Sequence, residues 1–580
     1  MLDTLGDVSF PDWDHCANGA DGTADPAGCR GVKVPGFSAC LAHLDEADRA
    51  SYLGGLRPGD AVDHRGTPFH TVLLRDLLDA LREHAGSPTR IGVASFQEAT
   101  FHGSAIFSET EFTGAANFDR AEFDVAEFSS ASFAERASFD ESLFNEYAYF
   151  NECIFVRGAS FLEAVFRKPA FFDAVGFLEF AFFSAVTFND LAFFGEVLSS
   201  GDFDLSRATF TAAAPRLGPL LCGGTLILDY ASFAMPVTIE AGAERITCER
   251  TRWDSTATLR LRHATLDLAD AVLTQPVSVI AHPVPFSRSD RLNESGVRWS
   301  QAGLSVESLR GVDCAMLTMS DVDLTSCRFS GALHLDQLRL DGHWAFAGTP
   351  QGRRWHRGLP FRWTRRQVIE EERQWRALPG RPAGLCRGWG IPCENEHDVP
   401  GLATLTIIYR QLRKSREDAK DEPGAADFYY GEMEMRRHSF GWRRAERWLL
   451  SAYWLLSGYG LRASRALGWL IIAMLVTVVL MMGFGLPQNS PKQEATGTAP
   501  TSGGRVTFEI DKEDPKNPVR DRFTSKRFEK ALKVTLNSVV FRSSEGDLTT
   551  SGEYIEMVSR FSEPILLGLA ALAIRGRVKR

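Results

Sequence analysis

Ala94-Ser95-Phe96-Gln97-Glu98-Ala99-Thr100-Phe101-His102-Gly103-Ser104-Ala105-Ile106-Phe107 begins a rhythm that continues to Phe194. From Phe96 the phenylalanines fall at 101, 107, 112, 118, 123, 128, 133, 139, 144, 150, 155, 161, 166, 172, 177, 183, 188 and 194. Of these eighteen steps, ten are five residues long and eight are six. The residue two places before each Phe is Ala in fourteen of nineteen cases, and otherwise Thr110, Ser142, Cys153, Val175 or Val186. In extended chain, residues i and i−2 point to the same side, so each unit offers one large and one small inward group. A period of five fits neither a helix nor a long strand. It fits a chain that runs a short edge, turns a corner and stacks each coil about 4.8 Å above the last. Phe96, Phe101, Phe107, Phe112, Phe118, Phe123, Phe128 and Phe133 are the first members of the expected core ladder.

Units such as Ala94-Ser-Phe-Gln-Glu98, Ala99-Thr-Phe-His-Gly103 and Ala121-Glu-Phe-Asp-Val125 resemble the pentapeptide-repeat family. The resemblance implies a mainly β fold, a right-handed quadrilateral β-helix, over 91–348 and degenerate after about 210. The six-residue steps depart from strict family spacing and are expected to place an extra residue at a corner. A weaker stretch has Leu309, Cys314, Met319, Leu324 and Phe329 at steps of five, with Cys314 and Cys327 as core thiols. Between the two, Thr258 to Val284 alternates like strand, whereas 212–224 and 283–295 suggest insertions.

Apolar content of 44% and charged content of 24% in 580 residues exclude wholesale disorder and a polytopic membrane bundle. From Ala94 to Phe194 there are sixteen acidic and five basic residues, a balance of −11 against −10 for the whole chain. Such a rod invites comparison with nucleic-acid mimics of the family that bind DNA gyrase, the alternative being a solvated acidic face. An acidic surface gives no expectation of direct nucleic-acid binding. Neither a Gly-x-x-x-x-Gly-Lys loop, a Gly-x-Ser-x-Gly elbow nor a His-Glu-x-x-His helix occurs, so no enzyme is expected and no catalytic residue is proposed.

The N-terminal segment, 1–90, lacks the period, and with no charged stretch followed by an apolar core it gives no expectation of secretion by a cleaved signal. It holds Cys16, Cys29, Cys40 and His43, the last two in a Cys-x-x-His arrangement. These residues suit structural zinc, which would staple a Gly- and Asp-rich module with little core of its own. Unpaired thiols are the alternative, and His15 competes with His43. Leu73, Leu77, Leu78 and Leu81 predict a helix over Pro68 to His84, placed to cap the open end of the β-helix.

A basic connector and helical hairpin are expected over 349–441, and a membrane domain over 442–580. Leu402, Leu405, Tyr409 and Leu412 mark one helix, and Pro423 opens a second. Over 442–458, Arg443, Arg444, Trp448 and Trp454 have the composition of a helix lying on a bilayer. Ala466 to Leu486 carries no charge over 21 residues, enough to cross about 30 Å of hydrocarbon. A second span over 554–574 must include Glu556, Arg560 and Glu563, which share one helix face and are candidate pore-lining groups. Arg462 and Arg465 before the first span, and Arg575, Arg577, Lys579 and Arg580 after the second, predict that both termini and the β-helix are cytoplasmic at the plasma membrane.

The order of span, short helix over 528–541, polar turn and span resembles the pore domain of potassium channels, although the Thr-x-Gly-Tyr-Gly filter is absent from this loop. Cys40-Leu-Ala-His-Leu44, Phe428 to Arg437, Ser457-Gly-Tyr-Gly-Leu-Arg462 and Arg575 to Arg580 resemble actinobacterial membrane-bound pentapeptide-repeat proteins. The leading expectation is a non-enzymatic protein whose cytoplasmic β-helix takes a signal or protein partner and biases an oligomeric pore, a homo-tetramer by analogy. The alternatives are a tethered interaction scaffold without conduction and an acidic rod that binds a DNA-processing enzyme.

Overall fold

The computed structural model describes residues 10–21, 25–84, 86–212, 217–286, 294, 299, 302–352, 354–356, 359–361, 363–378, 388–390, 399–488, 493–496, 509–512, 515–517, 521–537 and 548–578. The phenylalanine period becomes four internal columns. Phe96, Phe118, Phe139, Phe161 and Phe183 stack along the first wall. Phe101, Phe123, Phe144, Phe166, Phe188, Phe210 and Phe233 stack along the second, which ends on Trp253. Phe107, Phe128, Phe150, Phe172 and Phe194 form the third column, and Phe112, Phe133, Phe155 and Phe177 the fourth. Within columns the rings lie as close as 4.4 Å, at Phe144–Phe166, and as far as 5.2 Å, at Phe96–Phe118. Rings of the first and third columns meet edge-on, as Phe118 meets Phe128 at 83°. Stacking along a column and edge contact across it both suit the aromatic quadrupole.

Between Phe96 and Phe210 each coil closes after 21 or 22 residues, and two-residue rungs pair in parallel, Ala94 with Ala116, Ala137 with Ala159, Ala159 with Ala181. From Phe96 to Phe210 the inward Phe and Ala side chains are at most 3% exposed, so the interior is filled. The corners alternate in kind. After the first and third walls the unit is five residues long and its turn is hydrogen-bonded, as from Ala99 N–H to Phe96 C=O at 3.1 Å. The residue before the donor is left-handed: Glu98, Glu109, Arg120, Ser130, Glu141, Glu152, Glu163, Ala174, Ala185 and Glu196 all have φ of 55° to 60°. A left-handed L-residue costs roughly 1–2 kcal/mol, and this turn requires positive φ at its third position. The extra residue of the six-residue steps lies at the other two corners, with the five-residue step from Phe123 to Phe128 as the exception.

Past Phe210 the rungs lengthen into strands over Leu217–Ile227, Val237–Thr247, Ala257–Arg262 and Val277–Ala281, paired in parallel. The insertion expected over 212–224 is therefore corrected: from Leu217 onward it is a wall of the β-helix, with Leu217, Leu220, Leu221 and Cys222 buried. Glycine hid the alternation for a reason. A Cβ on Gly223 would lie 2.5 Å from the Ser200 carbonyl oxygen, and one on Gly224 2.3 Å from Asp202 Oδ1. The insertion expected over 283–295 lies largely outside the described residues.

At the other end, Val62–Asp63 pairs with Ala94–Ser95 and Pro68–His70 with Thr100–His102. Helices α1 (Glu46–Gly55) and α2 (Thr71–Ala80) belong to this end, and α2 buries Leu73, Leu74, Leu77 and Leu78. The helix expected from Pro68 is shorter because Pro68–His70 joins the sheet, proline being tolerated as the first residue of a strand. Beyond the last coil, α3 (Glu370–Ala377) and α4 (Leu402–Asp418) follow. Glu371 Oε1 accepts the N–H groups of Phe329 (2.5 Å) and Ser330 (2.8 Å), and burial raises its carboxyl to about 7. Glu372 is buried between Arg366 and Arg376 and also accepts the Tyr409 hydroxyl, so its charge is matched.

Residues 422–580 form a second compact unit. It contains α5 (Glu422–Ser439), α6 (Ala445–Ser457), α7 (Ala463–Leu480) continued by a π turn at Met481–Gly485, α8 (Ser525–Leu536) and α9 (Thr550–Val578). Two helical stretches, Ala463–Gly485 and Thr550–Ile574, are long and apolar enough to cross a membrane. Short α8 packs on α7 and the π turn through Ala531, Val478, Met481 and Met482. The C-terminal part of the expected short helix, 538–541, and the polar turn after it lie outside the described residues.

Candidate functional site

Two loops and a tight turn converge near the N-terminus. Cys16 and Cys29 lie on chain segments bonded to each other, Cys16 N–H to Gly31 C=O and Cys29 N–H to Asn18 C=O. Cys40 and His43 close a turn in which the His43 N–H bonds the Cys40 carbonyl at 2.9 Å. The four ligand atoms all lie within 4.8 Å of one another. Cys29 Sγ is 3.7 Å from Cys40 Sγ, and His43 Nδ1 is 3.3 Å from Cys40 Sγ and 3.6 Å from Cys16 Sγ. A tetrahedral zinc with bonds of about 2.3 Å to sulfur has edges of about 3.8 Å, so this donor set has the size of a zinc shell. Gly31 is required beside it, since a Cβ there would stand 2.7 Å from Cys40 Cβ. Gly31 N–H also points at Cys29 Sγ, 3.4 Å away.

Between the two thiols, the hydrogen bond with Cys40 lowers Cys29 to about 5, and the same bond, with burial, pushes Cys40 up. His15 is turned elsewhere, its Nε2 lying 3.2 Å from the Ala27 carbonyl oxygen. Cys314 and Cys327 are both fully buried, and burial raises Cys314 to about 12.

The second candidate region is in α9. Arg560 Nη2 lies 2.9 Å from Glu556, one turn away. Glu563 is 0% exposed and faces α7, where its Oε1 accepts the Thr477 hydroxyl at 2.7 Å. Thr477 was not among the residues singled out from sequence, although it is the lone hydroxyl in the run Ala466 to Leu486. Of the expected membrane-surface residues, Arg443 and Arg444 are exposed and Trp448 is 62% exposed. Trp454 is instead flanked by the guanidinium groups of Arg437 and Arg465, at 4.7 and 5.2 Å, and donates to the Tyr430 hydroxyl.

Much of the acidic charge of the rod holds neighbouring coils together. Asp119 and Asp140 accept a serine hydroxyl and a backbone N–H from the coil above. Glu98, Glu111 and Glu179 pair with Arg120, Arg90 and Arg157.

No curated protein and no solved structure matches the chain. Residues 91–132 match the family model for pentapeptide repeats (9 copies), and with the four stacked columns this makes the fold a pentapeptide-repeat β-helix, followed by helices two of which are long enough to span a bilayer.

Proposed function

We propose that this is a membrane-tethered interaction scaffold, a non-enzymatic protein whose β-helix binds a cytoplasmic protein partner and whose two spans hold it at the plasma membrane. The observation that carries this reading is the engagement of Glu563 within one chain: its carboxylate accepts the Thr477 hydroxyl of the other span. The filled interior of the β-helix adds to it, because such a rod can bind only through its outer walls. Arginines flanking the spans favour cytoplasmic termini. A zinc ion on Cys16, Cys29, Cys40 and His43 would supply a rigid cross-link between loops, not chemistry.

A second reading, an oligomeric pore, draws on the packing of α8 against α7, which repeats the layout of a pore helix. Ion flux in liposomes separates the two. With folded protein at matched incorporation, the scaffold expects no flux in wild type or in the Glu556→Gln, Glu563→Gln double variant. Flux that changes with that variant would establish the pore instead.

A further inference from the structure

Glu563 lies midway along the second apolar helix, opposite Thr477 midway along the first. Its Oε1 accepts the Thr477 hydroxyl, and its Oε2 is buried without a hydrogen-bond partner among the described residues. One turn earlier, Ser559 is 2% exposed and its Oγ is likewise unpartnered. Pro564 lies inside the helix and has no N–H, so the carbonyl of Arg560 lacks its intrahelical donor. Within two turns of α9 and against Thr477 of α7 these are a carboxylate oxygen, hydroxyls and a freed carbonyl, the hard-oxygen ligand types that suit small cations.

Charge points the same way. Within this depth α9 carries Glu556, Arg560 and Glu563, and Arg560 is paired with Glu556. Helix α7 and the π turn contribute no ionisable group between Ala466 and Leu486. On α6, which also packs on α9, the charged residues Glu446 and Arg447 lie at the N-terminal end, and Arg447 bonds the Phe440 carbonyl. Glu563 has no basic partner among the described residues, at a depth where an unmatched charge is costly.

We infer that Glu563, with Ser559, Thr477 and the Arg560 carbonyl, binds a single monovalent cation between the spans, either an alkali ion or a proton. This rests on the two-span reading and is independent of whether the protein acts as a scaffold.

The test uses full-length protein first shown by alkaline carbonate extraction to be integral to the membrane, so that failure of the spans is seen separately. Thermal unfolding of the detergent-solubilised protein is followed in sodium, potassium or choline chloride at equal ionic strength. In parallel, the protein is treated with dicyclohexylcarbodiimide, which adds to a protonated apolar carboxyl, its O–H adding across a C=N bond with nothing leaving. An alkali ion is identified by a melting temperature that rises about 3 °C per tenfold sodium or potassium over choline, absent in Glu563→Gln. A proton is identified by a carbodiimide adduct on Glu563 that grows as pH falls and is indifferent to sodium. Thr477→Val, which keeps the carboxyl and the shape, is expected to weaken whichever effect is found. Melting insensitive to alkali ion together with no adduct at any pH, in folded protein, overturns the inference.

Discussion

His64 occupies the place of a phenylalanine at the foot of the first column, buried beneath Phe96 and edge-on to Phe69. Burial lowers its imidazole from 6.5 to about 4. The folded value lies below the unfolded one, so the neutral form contributes stability fully above pH 6.5, and that contribution is lost as pH falls toward 4. At most about 3 kcal/mol is at stake. His64→Phe is expected to continue the ladder and to remove this acid-labile part, and the difference in urea midpoint between variant and wild type at pH 7.5 and pH 5 measures it. At this scale the sequence was most legible where one side chain has one use: every phenylalanine of the period is an inward rung. The left-handed corners were not legible. Their occupants are Glu, Arg, Ser and Ala rather than Gly, and only the turn geometry, set by the parallel rungs above and below, imposes the positive φ.

Among elements, the N-terminal loops depend most on something other than packing. Three thiols and an imidazole of zinc-shell size join segments whose neighbouring strands are only two or three residues long. Purified protein is expected to contain one zinc per chain by elemental analysis. Chelation, or Cys29→Ser, is expected to cost on the order of 5 kcal/mol of cap stability, seen as early proteolysis within residues 10–60 while the Phe ladder stays protected. The Cys-x-x-His spacing made this cluster visible in sequence, but choosing His43 over His15 needed the fold. Periodicity misled elsewhere for physical reasons. Leucine spacing extended α2 back over Pro68–His70, where sheet pairing prevails, and paired glycines concealed the wall that begins at Leu217. Glu563 was legible as an ionisable group in a span, whereas its direction toward Thr477 was not, because helix periodicity fixes a face and not which neighbour it meets.

For the molecule as a whole, the coil rather than the five-residue unit is the indivisible repeat, since corners alternate in kind. Deleting Ser129–Phe150, one complete coil, keeps each later residue in its own wall and is expected to leave a folded, slightly less stable β-helix. Deleting Ala134–Phe139, a single unit, moves every later residue one wall back and sets Glu141 at a corner of the wrong kind. That variant is expected to lose the ladder, as circular dichroism and limited proteolysis will report. Near-constant rung spacing has a further meaning for how the chain is made. A residue such as Ala137 waits only 22 positions for Ala159, so coils can close one at a time behind a growing nascent chain, each templated by the one before. The pause comes late: Leu266 pairs with Val306 and Val277 with Leu317, forty residues on in each case. During synthesis this is the interval in which the rod presents an unfinished edge, and the point at which a slow ribosome or a chaperone would matter most.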